Sequence, residues 1–158
     1  MRTPGPADLE ALGRCHLECW REAYGDLVDP ARLAPFLGDV DEFVGRWRRA
    51  LLTGAGHVRV ADDGGELVGF SSVLPADGEV PAHLQSLYVR RSHWSTGLGQ
   101  RLLDAVLGDA PATLEVLRDN VRARRFYARN GFVPDGIETE EPRLGAIEIG
   151  MVRPAPAG

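Results

Sequence analysis

From Leu9, apolar positions recur at Leu12, Cys15 or His16, Cys19 and Ala23, the spacing of one helical face, entered through the Pro-Ala-Asp segment at Pro6 to Asp8. A second helical set, Val40, Phe43, Val44, Trp47 and Leu51, follows a turn region at Pro30 to Gly38 and leaves Arg46, Arg48 and Arg49 for solvent. It stops at Gly54 to Gly56. The period then changes. HVRVA at 57–61 alternates, the DDGG at 62–65 has turn chemistry, and ELVGFSSVL at 66–74 supplies the returning strand of an antiparallel hairpin. Beyond a turn at 75–78, AHLQSLYV at 82–89 reads as a buried strand, the third of a meander.

After Arg90 and Arg91, Gly97 and Gly99 introduce Leu98, Leu102, Leu103, Val106 and Leu107 at helical spacing. ATLEVL at 112–117 is a further strand, and DNVRARRFYARNGF at 119–132 a short helix closed by Asn130 and Gly131. Two closing strands are expected around 132–137 and 146–152. The fold class is α+β, a mixed sheet flanked by helices. One domain over 1–153 is expected, with a frayed tail at 154–158.

The chain has 158 residues, 44% of them apolar, which suffices for a core without disulfide staples or a structural metal. A net charge of −5 argues against a surface built for nucleic-acid phosphates. All 18 basic residues are arginine, so Schiff-base chemistry and a lysine-bearing phosphate loop are excluded. Cys15 and Cys19 lie too close together to staple anything, which points to a reduced, cytoplasmic protein. The start lacks a secretory pattern, and no apolar run is long enough to span a bilayer. Cys15, His16 and Cys19 do not make a metal site, because His16 lies off the face shared by the thiols.

The segment from strand 82–89 into the helix after Gly97 is the most informative. A helix start leaves N–H groups unpaired and carries partial positive charge, and glycines let an anion approach the backbone. The dinucleotide pattern fails, since Leu102 stands where its third glycine belongs. Charge supports an anion site: residues 90–129 hold eight arginines against four acidic residues, while the remainder of the chain is net −9. For Arg122, Arg124, Arg125 and Arg129, the solvated face of a helix is the competing account.

LYVRRSHWSTGLGQRLL followed by LEVLRDNVRARRFYARNGF resembles the acetyl-CoA-binding core of the GNAT superfamily of N-acetyltransferases, across residues 82–132. Gly97 and Gly99 match its first signature, and Asn120, Ala123, Phe126, Tyr127, Gly131 and Phe132 its second. The start, ECWREAYGDL, also resembles family members. Trp94 departs from the pattern, standing where the family has Arg or Gln.

The resemblance implies a GNAT-like, mostly antiparallel sheet of about six or seven strands with four or so helices. It implies acetyl-CoA as co-substrate and direct acetyl transfer to a primary amine of a small molecule or peptide in a ternary complex. Dimers are common in the family, so a homodimer is an open association. The backbone of Ser95, Thr96, Gly97, Leu98, Gly99 and Gln100 would cradle the diphosphate. The strand ending at Val89 would splay from strand 112–117, and the pantetheine arm would pair with Leu87 and Val89. Arg90 and Arg91 either help the phosphates or are simply solvated.

By the same resemblance, Tyr127 protonates the departing thiolate, and the Leu87 N–H donates to the oxyanion. Asn120 contacts the cofactor or caps its helix. His83 stands where members with a strand carboxylate carry their base, so it is the general-base candidate, directly or through water, with a purely packed histidine as the alternative. Gln85 shares its face and can hold a water. Trp20, Tyr24, Phe36 and Trp47 fall where the family builds its acceptor pocket, with core packing the plainer account. Glu138, Glu140 and Glu141 either attract a cationic acceptor or form a solvated loop. Two other functions stay open: a non-catalytic acyl-CoA-binding sensor or interaction module of the same fold, and a generic nucleotide-binding domain.

Overall fold

The alternating segments pair into one sheet. The computed structural model describes residues 1–54 and 56–155. Its strands are β1 (His57–Asp63), β2 (Glu66–Leu74), β3 (Ala82–Val89), β4 (Ala112–Leu117), β5 (Val133–Glu141) and β6 (Ala146–Arg153), in the order β1-β2-β3-β4-β6-β5. All neighbours are antiparallel except β3 and β4. A parallel pair needs a crossover, which the helix between them supplies. The five α-helices are α1 (Leu9–Tyr24), α2 (Pro30–Leu37), α3 (Val40–Thr53), α4 (Leu98–Leu107) and α5 (Val121–Arg129).

The helices cover both faces of the sheet. On the front, α1 and α3 press Leu12, Cys15, Cys19 and Trp47 onto Val58, Val60, Leu67 and Phe70. On the back, α4 lays Leu98 and Leu102 over Ala61 and Val68, while Leu103 and Leu107 join Leu84, Leu114, Tyr127, Phe132 and Met151. Two β-bulges set which side chains go where. The β1–β2 register slips between Ala61 and Asp62, and the β2–β3 register slips between Ser72 and Val73, leaving Val68 and Gln85 without opposites. An extra residue reverses the alternation. So Leu84, Leu87 and Val89 can all pack on the back while Tyr88 joins the front.

Several expected elements are revised. Residues 30–37 form a helix and not a turn: Asp29 caps it by accepting from Ala31 N at 2.7 Å, Pro30 occupies its first turn, and Leu33 is buried. Strand β1 runs on to Asp63, so the turn is only Gly64-Gly65. Strand β3 is buried only at Ala82 and Leu84, because beyond them it borders an opening. Strand β5 reaches Glu141, placing Glu138, Glu140 and Glu141 on a strand and not in a loop. Residue 55, within the expected stop of α3, and residues 156–158 of the expected tail lie outside the described residues.

Candidate active site

Strands β3 and β4 pair only at Ala82 with Ala112 and His83 with Thr113, then separate. Arg90 N bonds Val68 O, which makes Tyr88 and Ser86 the residues of β3 bonded to β2 and turns the N–H and C=O of Leu87 and Val89 toward the gap. A cleft of about 310 Å³ opens on the back between β3, the glycine turn and α5. A smaller cavity of about 90 Å³ lies deeper, beside α1 and β4. Leu87, Val89, Arg122, Ala123 and Tyr127 line both, so the two are ends of one passage.

At the mouth of the cleft the chain turns through Ser95 at φ 63° and Gly97 at φ 82°. Gly97 adopts this left-handed conformation freely, whereas Ser95 is strained there. The first bond of α4 runs from Arg101 N to Gly97 O at 3.1 Å, so the N–H groups of Leu98, Gly99 and Gln100 have no helical partner. Ser95, Gly97, Gly99 and Gln100 line the cleft. Leu98 is buried beneath it, and Thr96 turns its hydroxyl back to His93 O. A Cβ on Gly99 would lie 3.6 Å from Phe126 and 3.9 Å from Val89, filling space that the glycine leaves open. Unpaired donors, an open cradle and a slot edged by free strand backbone fit an extended, amide-bearing thioester with a diphosphate.

Arg90 and Arg91 are not free for phosphates. Glu22 of α1 accepts from Arg90 Nε at 3.2 Å and from Arg91 N at 2.6 Å, so this pair fastens β3 to α1. Trp94 donates its indole N–H to Val89 O at 2.7 Å, occupying one of the strand groups expected to meet the cofactor. The Arg122 guanidinium lies 3.4 Å from the centre of the Trp94 ring. Asn120 caps α5, accepting from Ala123 N at 3.1 Å, and borders the deeper cavity.

Tyr127 is buried at the junction of the two cavities. Burial and the neighbouring Tyr24 raise its pKa above the phenolic range, against the opposing Arg122 charge, so it holds its proton at neutral pH. Across the passage the Tyr24 and Tyr88 hydroxyls bond at 2.6 Å, and burial pushes the Tyr24 pKa up to about 12. His83 sits at the last β3–β4 pair, with Nδ1 at 2.9 Å from Thr113 Oγ1 and Nε2 at 3.1 Å from Glu115 Oε2. The tautomer protonated at Nε2 satisfies both contacts. Glu115 is 54% exposed and lines the deeper cavity, while His83 lines neither. Gln85, unpaired at its bulge, also borders the deeper cavity. Of the aromatic candidates, only Tyr24 reaches the passage; Trp47 is core, and Trp20 packs against Phe36 of α2.

Sequence reasoning missed Glu115 and Thr113. The signal lay in strand alternation, which puts them on one face of β4, but naming their partner needs the parallel register with β3. It also left Arg122 undecided between an anion site and a solvated helix face.

A family model described as "Acetyltransferase (GNAT) family" matches residues 10–132. The chain belongs to the GNAT family. It is therefore an N-acetyltransferase that takes its acetyl group from acetyl-CoA. The "Probable N-acetyltransferase Rv2775" of Mycobacterium tuberculosis is 27% identical over all of this chain and 96% of its own. The "Uncharacterized N-acetyltransferase Rv2669" of the same organism is 34% identical over 75% of this chain and 69% of its own. In fold, this GNAT chain is similar to the PaiA N-acetyltransferase from Thermoplasma acidophilum, solved in complex with coenzyme A. The TM-score is 0.70 at 19% identity, covering 94% of this chain and 95% of that one. The six-stranded sheet and its flanking helices are thus the GNAT fold. No helix among the described residues is long and apolar enough to cross a membrane.

Proposed function

We propose that residues 1–153 act as one catalytic unit, in the cytoplasm, transferring acetyl directly to a primary amine of a small molecule or peptide while both substrates are bound. The observation that carries this reading is the pair of adjoining cavities where β3 leaves β4, one at the glycine turn and one beside α1, with Tyr127 bordering both. A thioester entering from the glycine turn and an amine entering from the α1 side would meet there. Direct attack is further supported by the cysteines: Cys15 and Cys19 are buried in α1, and neither lines the passage.

Acetyl-CoA supplies the acetyl group as a thioester. The chain's residues divide the proton work. An amine of pKa about 10 is neutral in only about one molecule in a thousand at neutral pH. The His83–Glu115 pair receives the first proton, through water, because His83 stands four residues from Leu87 along β3, about 13 Å at strand rise. Glu115 is its exposed end, and His83 steadies the carboxylate. As the C–N bond forms and the C–S bond breaks, the Leu87 N–H, turned into the gap, donates to the carbonyl oxygen. Tyr127 gives its proton to sulfur and regains one from the nitrogen, leaving the amide, the free thiol and one released proton. The backbone at 95–100 and at Leu87 and Val89 holds the coenzyme, with Asn120 fixing the start of α5 beside it.

The test is free-thiol release from acetyl-CoA against a panel of primary amines, with both concentrations varied. Acceptor-dependent release with intersecting double-reciprocal lines is expected. Parallel lines, or acetylated protein formed without an amine, would refute direct attack. Binding of acetyl-CoA with no release for any amine would refute the catalytic reading.

A further inference from the structure

Resting on that reading, we infer that Arg122 is the side chain that meets the anionic part of the coenzyme, and that Trp94 holds it there. Where the GNAT pattern has an Arg or Gln at the entry to the glycine turn, this chain has an indole, which brings no charge. The structure restores the charge from another element. Trp94 is anchored edge-on by its N–H bond to Val89 O at 2.7 Å, which exposes the ring face at the mouth of the cleft. On that face lies the Arg122 guanidinium from the first turn of α5, 3.4 Å from the ring centre. A cation over an indole is held by the ring's negative face, and a planar guanidinium stacks there with its N–H edges free.

Among the described residues Arg122 and Arg129 are the arginines that line the cleft without an ion pair, and of the two only Arg122 is held against the Trp94 ring. Arg91, 5.1 Å from the same ring centre, is spent on the Glu22 backbone carbonyl and on Asp26. Arg90 is spent on Glu22 and Glu66. Among the described residues Arg122 makes no ion pair and no side-chain hydrogen bond, although both it and Trp94 line the cleft. Burial and the like charge of Arg91 lower its pKa, which marks a cation short of a counter-charge. An anion held by the N–H groups at 95–100 would supply one.

The experiment is calorimetry at low and high salt with two ligands, acetyl-CoA and S-acetylpantetheine, the same thioester without the diphosphate and its phosphorylated nucleoside. The variants are Arg122→Gln, Trp94→Ala, Trp94→Phe and the Trp94→Ala/Arg122→Gln pair. Loss of one charge-assisted contact raises the acetyl-CoA Kd about ten- to a hundredfold in Arg122→Gln, less so at high salt. S-acetylpantetheine binding stays unchanged, which also shows that the variant is folded. Trp94→Ala matches that loss, the pair loses no more than either alone, and Trp94→Phe, which keeps a stacking face, loses less. Wild-type affinity for acetyl-CoA in Arg122→Gln, an equal loss for both ligands, or additive losses in the pair would overturn the inference and leave the acetyltransferase reading intact. No heat from the unaltered protein with acetyl-CoA would overturn both.

Discussion

Acid should loosen this enzyme through one buried imidazole. His16 of α1 is 8% exposed, with ring centres of Phe43 and Phe70 at 4.7 and 4.8 Å, and its Nδ1 accepts the Trp47 indole N–H at 3.1 Å. Burial, aided by the Arg46 charge, lowers its pKa from 6.5 to about 3. The unfolded chain takes up this proton near pH 6.5 and the folded chain does not, so the contribution is fully present above 6.5 and is lost progressively as the pH falls toward 3. The complete shift corresponds to about 5 kcal/mol, of which about 2 kcal/mol is lost by pH 5. Down to that pH the carboxyl of Asp8, held at about 2 by Arg2, stays ionised and contributes no slope.

The assay is urea unfolding at pH 7.5 and pH 5, comparing the unaltered protein with His16→Gln, whose amide still accepts the Trp47 N–H but does not titrate. The unaltered protein should lose about 2 kcal/mol more than the variant, roughly a 1 M difference in midpoint shift. Equal pH slopes would refute the reasoning. The loss should reach the active site as well, because His16 lies 5.2 Å from Tyr88, whose hydroxyl joins Tyr24 at the passage.

Tyr127→Phe should keep its affinity for acetyl-CoA and lower turnover about a hundredfold, read by thiol release; unchanged turnover would remove the hydroxyl from the chemistry. His83→Ala and Glu115→Gln should slow the reaction most near neutral pH and approach the parent rate above pH ~10, where most of the amine is neutral without help. A rate ratio that stays flat with pH would retire the pair. Asn120→Ala should cost about 1 kcal/mol in urea unfolding through loss of the Ala123 cap, and Asn120→Asp should restore most of it. Phe70→Ala should cost about 3–5 kcal/mol, since that ring is fully buried between α1, α3 and β3; a loss below 1 kcal/mol would contradict the packing.

Period and punctuation made β2, β3 and β4 legible from the chain to the residue, and α4 by its apolar face, because turn residues bound each of them. Helix α2 escaped the same logic. Pro35 in its last turn reads as a breaker, yet in so short a helix its missing N–H removes little, and Leu33 gains a buried place beside Val28 and Leu144. Local pattern likewise carries no count of unpaired residues. The bulges at Val68 and Gln85, which decide the face that Leu87 presents, belong to strand registers.

The sequence by itself determined the glycine turn, the tyrosine of α5 and the basic segment around them, because these depend on residue types at short separations along one strand, one turn and one helix. Only the tertiary structure decided where β3 leaves β4, that Glu115 answers His83, that Glu22 occupies Arg90 and Arg91, and that Arg122 comes to rest on Trp94. Those pairings join residues from 28 to 69 positions apart. They follow from how the sheet is ordered and how α1 and α5 pack against it, which no local spacing encodes.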